Sequence, residues 1–209
     1  MNVEKSLEQL ETLITQQRTN EIEGFLLEKI EDSASQEDIG SLITLMNELI
    51  GYYRESGEFE KALGYCREVL QVAAQAGLAG TIPYATTLLN VANTCREGGL
   101  VREAMVHYQE VRGIYINNIE DTDFRYVNLY NGMGMLFQDM GDYESACDCQ
   151  ERALSVAVLY HEARAETAIL YTSLAIYQIK LMRYQEAIEN LRRAFELFEE
   201  DEKKDYHYS

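Results

Sequence analysis

Side chains able to do chemistry are few and scattered in this chain. Cys147 and Cys149 stand two residues apart in a stretch of helical pattern. On a helix that spacing turns them about 200° from each other, so one helix cannot aim both thiols at a shared metal ion. His107, His161 and His207 have no His-x3-His partner, no serine and aspartate at supporting spacing, and no glycine-rich phosphate loop accompanies them. The sequence therefore predicts no catalytic residue, no metal site and no cofactor, and a function other than catalysis. Four cysteines are too few for a disulfide framework and are expected to be reduced. What recurs instead is asparagine and arginine at regular intervals. A carboxamide donates and accepts at once, so a row of asparagines can hold the main chain of an extended peptide without demanding a particular side chain.

Such residues are positioned by a repeat. Ala62, Ala104, Ala146 and Ala187 are separated by 42, 42 and 41 residues. Upstream of each lies an apolar series: Met46, Leu49, Ile50 and Tyr53; Leu88, Val91, Ala92 and Cys95; Tyr130, Met133, Gly134 and Phe137; Tyr171, Leu174, Ala175 and Gln178. Downstream come Cys66, Tyr108, Gln150 and Leu191, then Val69, Val111, Ala153 and Ala194. This is the spacing of a helix, a tight turn and a second, antiparallel helix. The alanine marks a close helix crossing, where a larger residue overpacks at a cost of roughly 1–3 kcal/mol. Gly57, Gly99 and Gly141 suit a left-handed residue ending each first helix, and repeat four has Met182 there, so a different turn is expected in that copy. Asp142 and Ser56 read as local caps, Ser35 with Asp38 as the cap of the helix that follows, and Pro83 as the opening of a first helix.

The pattern resembles the tetratricopeptide repeat over about residues 43–200. The common repeat has roughly 34 residues; the longer spacing here, with YATTLLNVANTCREGG at 84–99, is similar to the kinesin light chain and Pins-type scaffolds, both peptide-binding. The resemblance implies an all-α, right-handed superhelical solenoid of antiparallel helix pairs, about ten helices. Residues 1–40 form an atypical amino-terminal capping pair with helices at 2–18 and 20–32. Residues 41–202 hold four repeats, at about 43–82, 83–121, 122–160 and 161–202, and a charged tail occupies 203–209. The whole is expected to be one continuous solenoid domain.

In the family, first helices line a concave groove. Carried over by position, the groove residues are Thr44, Asn47, Gly51, Arg54 and Glu55; Thr86, Leu89, Asn93, Arg96 and Glu97; Asn128, Asn131, Met135, Gln138 and Asp139; Ile169, Thr172, Ile176, Ile179 and Lys180. The binding set expected from these is Asn47, Arg54, Asn93, Arg96, Asn128, Asn131, Gln138 and Lys180, led by Asn93 and Asn131. Asn90 is read as a packing residue between repeats. Arg54 and Arg96 either select acidic ligand side chains or form solvated ion pairs. The isoleucines of repeat four either grip an apolar ligand group or belong to the core. Asn47 and Gly51 stand where some family members place basic residues that clamp a terminal carboxylate, so capture of a chaperone tail is disfavoured.

The charge agrees with a protein partner. With 18 Lys+Arg against 36 Asp+Glu the net charge is −18, which repels a polyanion and excludes nucleic acid. No apolar run is long enough for membrane insertion and the first residues lack a secretory pattern, so a cytoplasmic location is the default. The function expected is a non-catalytic scaffold or adaptor binding a protein or peptide segment in the groove. The alternative is a peptide-sensing regulatory module acting through a protein effector. Phe195, Leu197 and Phe198 on the last helix are candidates for homo-oligomer formation, and the tail ending DYHYS for occupying the chain's own groove.

Overall fold

The computed structural model describes residues 2–205, with side chains through 199. Among the described residues there are ten helices and no strand: α1 Val3–Thr15, α2 Thr19–Ser35, α3 Ile39–Glu55, α4 Phe59–Gln75, α5 Ile82–Glu97, α6 Val101–Asn118, α7 Arg125–Asp139, α8 Tyr143–Ala157, α9 Arg164–Lys180 and α10 Tyr184–Asp205. The tail from 206, with His207, lies outside the described residues.

One turn recurs along the chain. Residues 17, 37, 57, 77, 99, 141 and 182 all take φ between 54° and 77°. The next residue's N–H then donates to the carbonyl five residues back, as from Glu58 to Tyr53 (2.8 Å), Leu100 to Cys95 (2.7 Å), Asp142 to Phe137 (2.9 Å) and Arg183 to Gln178 (2.8 Å). This closes the helix end and satisfies carbonyls that the helix itself leaves bare. Three consequences differ from the sequence reading. Met182 adopts the same turn as the glycines, at φ 59°, so repeat four is not built differently there. Residues 1–40 use it too, through Gln17 and Glu37, and Ile22 stands five residues after Gln17 where the later pairs place alanine after glycine. Asp38 caps α3, accepting from the Ser41 N–H at 3.1 Å, whereas Ser35 is the last residue of α2 and donates to the Asp32 carbonyl. Ser56 likewise closes α3, its hydroxyl donating to the Tyr52 carbonyl, while Asp142 caps α8 through the Ser145 N–H. Hydrogen bonds from Ser41 and Ser145 hold the Asp38 and Asp142 carboxyls below the usual carboxylate range.

A non-glycine residue held left-handed costs roughly 1–2 kcal/mol, and glycine returns part of that through the freedom it gains when unfolded. Met182 is 74% exposed, so its side chain contributes little packing. Met182→Gly is therefore expected to stabilise the protein by about 0.5–1 kcal/mol in urea unfolding. A variant less stable than wild type contradicts this.

The contacts divide the chain into two compact units, Met1–Ile114 and Tyr115–Ser209. In the first, α2 packs on α3, α3 and α4 on each other, and both on α5. Its core joins Leu10, Ile22 and Leu26 to Leu45, Leu49, Tyr53 and Ala62. The Tyr53 hydroxyl donates to Glu23 at 2.7 Å and Lys61 reaches the same carboxylate at 3.1 Å, tying α3 and α4 to α2. In the second unit α7 pairs with α8, α8 packs on α9, and α9 pairs with α10. Ala62, Ala104 and Ala146 are fully buried and Ala187 nearly so, as a close helix crossing requires. Gly134 is tighter still, since a Cβ there would lie 3.0 Å from Gln150 Oε1. In repeat four, Gln178 accepts from Asn190 Nδ2 at 2.9 Å, both buried, so an amide pair joins α9 to α10.

Candidate peptide-binding groove

The first helices of the pairs carry the expected binding residues, and the structure divides these into groups with different tasks. In the first unit Asn47 is fully engaged. Its Nδ2 donates to the Ile43 carbonyl (3.0 Å) and to Thr87 Oγ1 (3.1 Å), and its Oδ1 accepts from Asn90 Nδ2 (3.2 Å). With both ends of the amide satisfied inside the protein, Asn47 and Asn90 work as a joint between α3 and α5. The sequence assigned that task to Asn90 alone.

Asn93 is different. Its Oδ1 accepts from the hydroxyl of Tyr108 at 2.6 Å, and Tyr108 is completely buried on α6. Burial pushes the Tyr108 hydroxyl well above its ordinary range, so it stays a donor at physiological pH. That bond fixes the carboxamide with its oxygen inward, leaving the half-exposed Asn93 with an Nδ2 donor and no protein acceptor. Nearby, Arg54 Nε meets Glu97 at 3.3 Å and Arg96 meets the same carboxylate at 2.9 Å. Two guanidiniums thus share one carboxylate. Leu89, carried over as a groove residue, is buried.

In the second unit Asn131 also gives its oxygen to a buried donor. Its Oδ1 accepts from Gln150 Nε2 at 3.3 Å, and Gln150 is fully buried with a second contact to the Leu170 carbonyl at 3.4 Å. Gln150 stands at the repeat position of Tyr108, but Asn131 stands at that of Asn47 and Leu89, one turn before that of Asn93, so each unit has one asparagine held by a buried donor at a different place on its first helix. Asn128, Gln138 and Lys180 are exposed. Ile169, Ile176 and Ile179 are exposed as well, which settles the open alternative: these are surface residues of α9 and not core. With Met135 on α7 they give this unit an apolar surface.

Residues 41–117 and 125–200 match the tetratricopeptide repeat family. The chain belongs to that family. No protein of curated function matches it in sequence. Among solved structures, BtubC (BKLC) from P. vanneervenii superposes with a TM-score of 0.83 at 21% identity, over 96% of this chain and 81% of that one. A Podosopora anserina structure described as a kinesin light chain with nearly identical TPR-like repeats gives 0.74 at 15% identity, over 95% and 96% of the two chains. MamA gives 0.61 at 14%, over 93% and 96%. At these identities the likeness establishes the fold of tetratricopeptide solenoids and nothing finer.

Cys66, Cys95, Cys147 and Cys149 are buried, and burial pushes the Cys66 and Cys147 thiols up to about 11, too high for a reactive thiolate. Among the described residues no group of three His, Cys, Asp or Glu side chains could hold a metal ion, and no helix is long and apolar enough to cross a membrane. Sequence reasoning missed Tyr108 and Gln150 as orienting residues. Their shared offset of four from the repeat alanine was visible, but a tyrosine and a glutamine at one position read as ordinary packing.

Proposed function

We propose that this tetratricopeptide-repeat protein is a non-catalytic, cytoplasmic adaptor whose first helices hold an extended segment of a partner protein. The observation that carries the reading is that each unit holds one first-helix asparagine whose oxygen is taken by a buried donor. Asn93 and Asn131 each spend the oxygen on a buried donor and keep the nitrogen for an acceptor outside the protein. A peptide carbonyl is such an acceptor. Exposed Lys180 favours an acidic ligand side chain, and the isoleucines of α9 favour an apolar one. The test captures partners from native lysate, reduces the partner to its minimal binding segment, and titrates that segment against wild type and an Asn93→Ala, Asn131→Ala variant. Equal affinity for both refutes the reading.

A second contact surface is supported by α10. Ile188, Leu191, Phe195 and Phe198 are 44%, 41%, 62% and 42% exposed, whereas their repeat counterparts on α8, Cys147, Gln150, Leu154 and Ala157, are buried. The occupant we assign is α10 of a second copy. The corresponding outward face of α1 is polar, with Lys5 and Gln9 exposed, so an α1-to-α10 stack lacks a matching apolar surface. Phe195→Glu is expected to convert a dimer to a monomer in sedimentation equilibrium. A wild type monomeric across the whole concentration range rules this out.

A further inference from the structure

Between α1, α2 and α3 lies a cavity of about 480 Å³, inside the first unit. Exposed Ile14 and half-buried Tyr52 give it an accessible apolar lining above the buried core residues Leu10, Ile22 and Leu26. Gly51 opens it. That residue sits within α3, and a Cβ built on it meets nothing within 4 Å. Gly51 leaves this part of the cavity wall without a side chain, at a cost of roughly 1 kcal/mol in helix propensity relative to alanine. Glu48 and Glu55, three residues before and four after, flank the opening on the same face of α3, about 10 Å apart along the axis at 1.5 Å per residue. Neither carboxylate has a cation or hydrogen-bond donor in the structure, and no basic residue lines the cavity. Desolvation first, and repulsion from Glu55 second, hold the Glu48 carboxyl above its ordinary range.

An apolar lining with unpaired negative charge at its mouth is complementary to an aliphatic stem ending in a cation. Lysine and arginine are the protein side chains of that form. We propose that this cavity docks a lysine or arginine side chain of a partner protein segment, the stem lying along Ile14 and Tyr52 and the head between Glu48 and Glu55. The inference rests on the reading that the protein binds protein segments, but it uses none of the groove asparagines.

The probe is a library of random displayed dodecapeptides selected on the full chain, with recovered peptides retitrated on three variants. Gly51→Leu fills the cavity and replaces a helix-interior glycine, so it is expected to be at least as stable as wild type while losing tenfold or more in affinity. Glu48→Gln with Glu55→Gln removes the charge without changing shape and is expected to lose as much. Recovered peptides should carry Lys or Arg next to an aliphatic residue, and their Lys/Arg→Ala versions should bind no better to wild type than to the filled variant. Recovery of no peptide, of peptides without a basic residue, or of peptides that bind both cavity variants within twofold of wild type overturns the inference. Asn93→Ala with Asn131→Ala separates the two readings: peptides lost only there leave the groove standing and remove the cavity from it.

Discussion

Tyr108→Ala is expected to destabilise the unit Met1–Ile114 by about 3–5 kcal/mol, the largest stability effect of any substitution considered for this protein. Tyr108 is completely buried on α6 and its hydroxyl makes the 2.6 Å bond to Asn93. Truncation removes the ring from the interior and leaves a cavity that close-packed helices fill only in part. Tyr108→Phe keeps the ring and deletes the hydroxyl, so it should cost roughly 1 kcal/mol, because half-exposed Asn93 can turn its oxygen to water. Denaturant unfolding of both variants measures the two contributions separately. A loss below about 1 kcal/mol for Tyr108→Ala contradicts a packed role for the ring. Tyr108→Phe adds a second readout: it should weaken partner binding more than its small stability change implies, since the amide it orients is set free.

The second large effect is on binding. Asn93→Ala and Asn131→Ala each remove one oriented donor, and a hydrogen bond of this kind contributes about 0.5–1.5 kcal/mol net. The sites are on α5 and α7 and share no hydrogen-bond partner, so the double variant should lose the sum, roughly 1–3 kcal/mol, or about 5- to 150-fold in affinity. Each substitution also strands a buried donor, the Tyr108 hydroxyl or Gln150 Nε2, so a stability loss of about 1–3 kcal/mol per site is expected, and affinities are compared at a temperature where every variant is folded. Isothermal titration with the minimal partner segment measures the loss. Unchanged affinity of the folded double variant places binding elsewhere on the molecule.

The helical repeat was legible because its signals are local. Apolar residues three and four apart, an alanine at each crossing and a glycine at each turn are short-range demands of the backbone. Where the same geometry is met by other residues, the sequence misled. Gln17 and Glu37 hold left-handed turns without glycine, and Ile22 fills a crossing without alanine, so the first pair looked more atypical than its backbone is. Met182 misled in the same way. The groove was legible only as a row of positions. Which asparagine is free depends on contacts from distant parts of the chain: Thr87 and Asn90 occupy Asn47 completely, whereas Tyr108 and Gln150 take only the oxygens of Asn93 and Asn131. The Glu48–Glu55 cavity left no motif, because its lining is drawn from three separate helices, α1, α2 and α3.

The most direct test of groove binding is photo-crosslinking in native cells with a photoreactive residue placed at one position at a time. Thr86, Asn128 and Ile176 are exposed on first helices, and Glu68, Arg112 and Glu151 are exposed on second helices. Partner adducts from the first set and none from the second are the predicted result; adducts confined to the second set contradict a ligand held by the first helices.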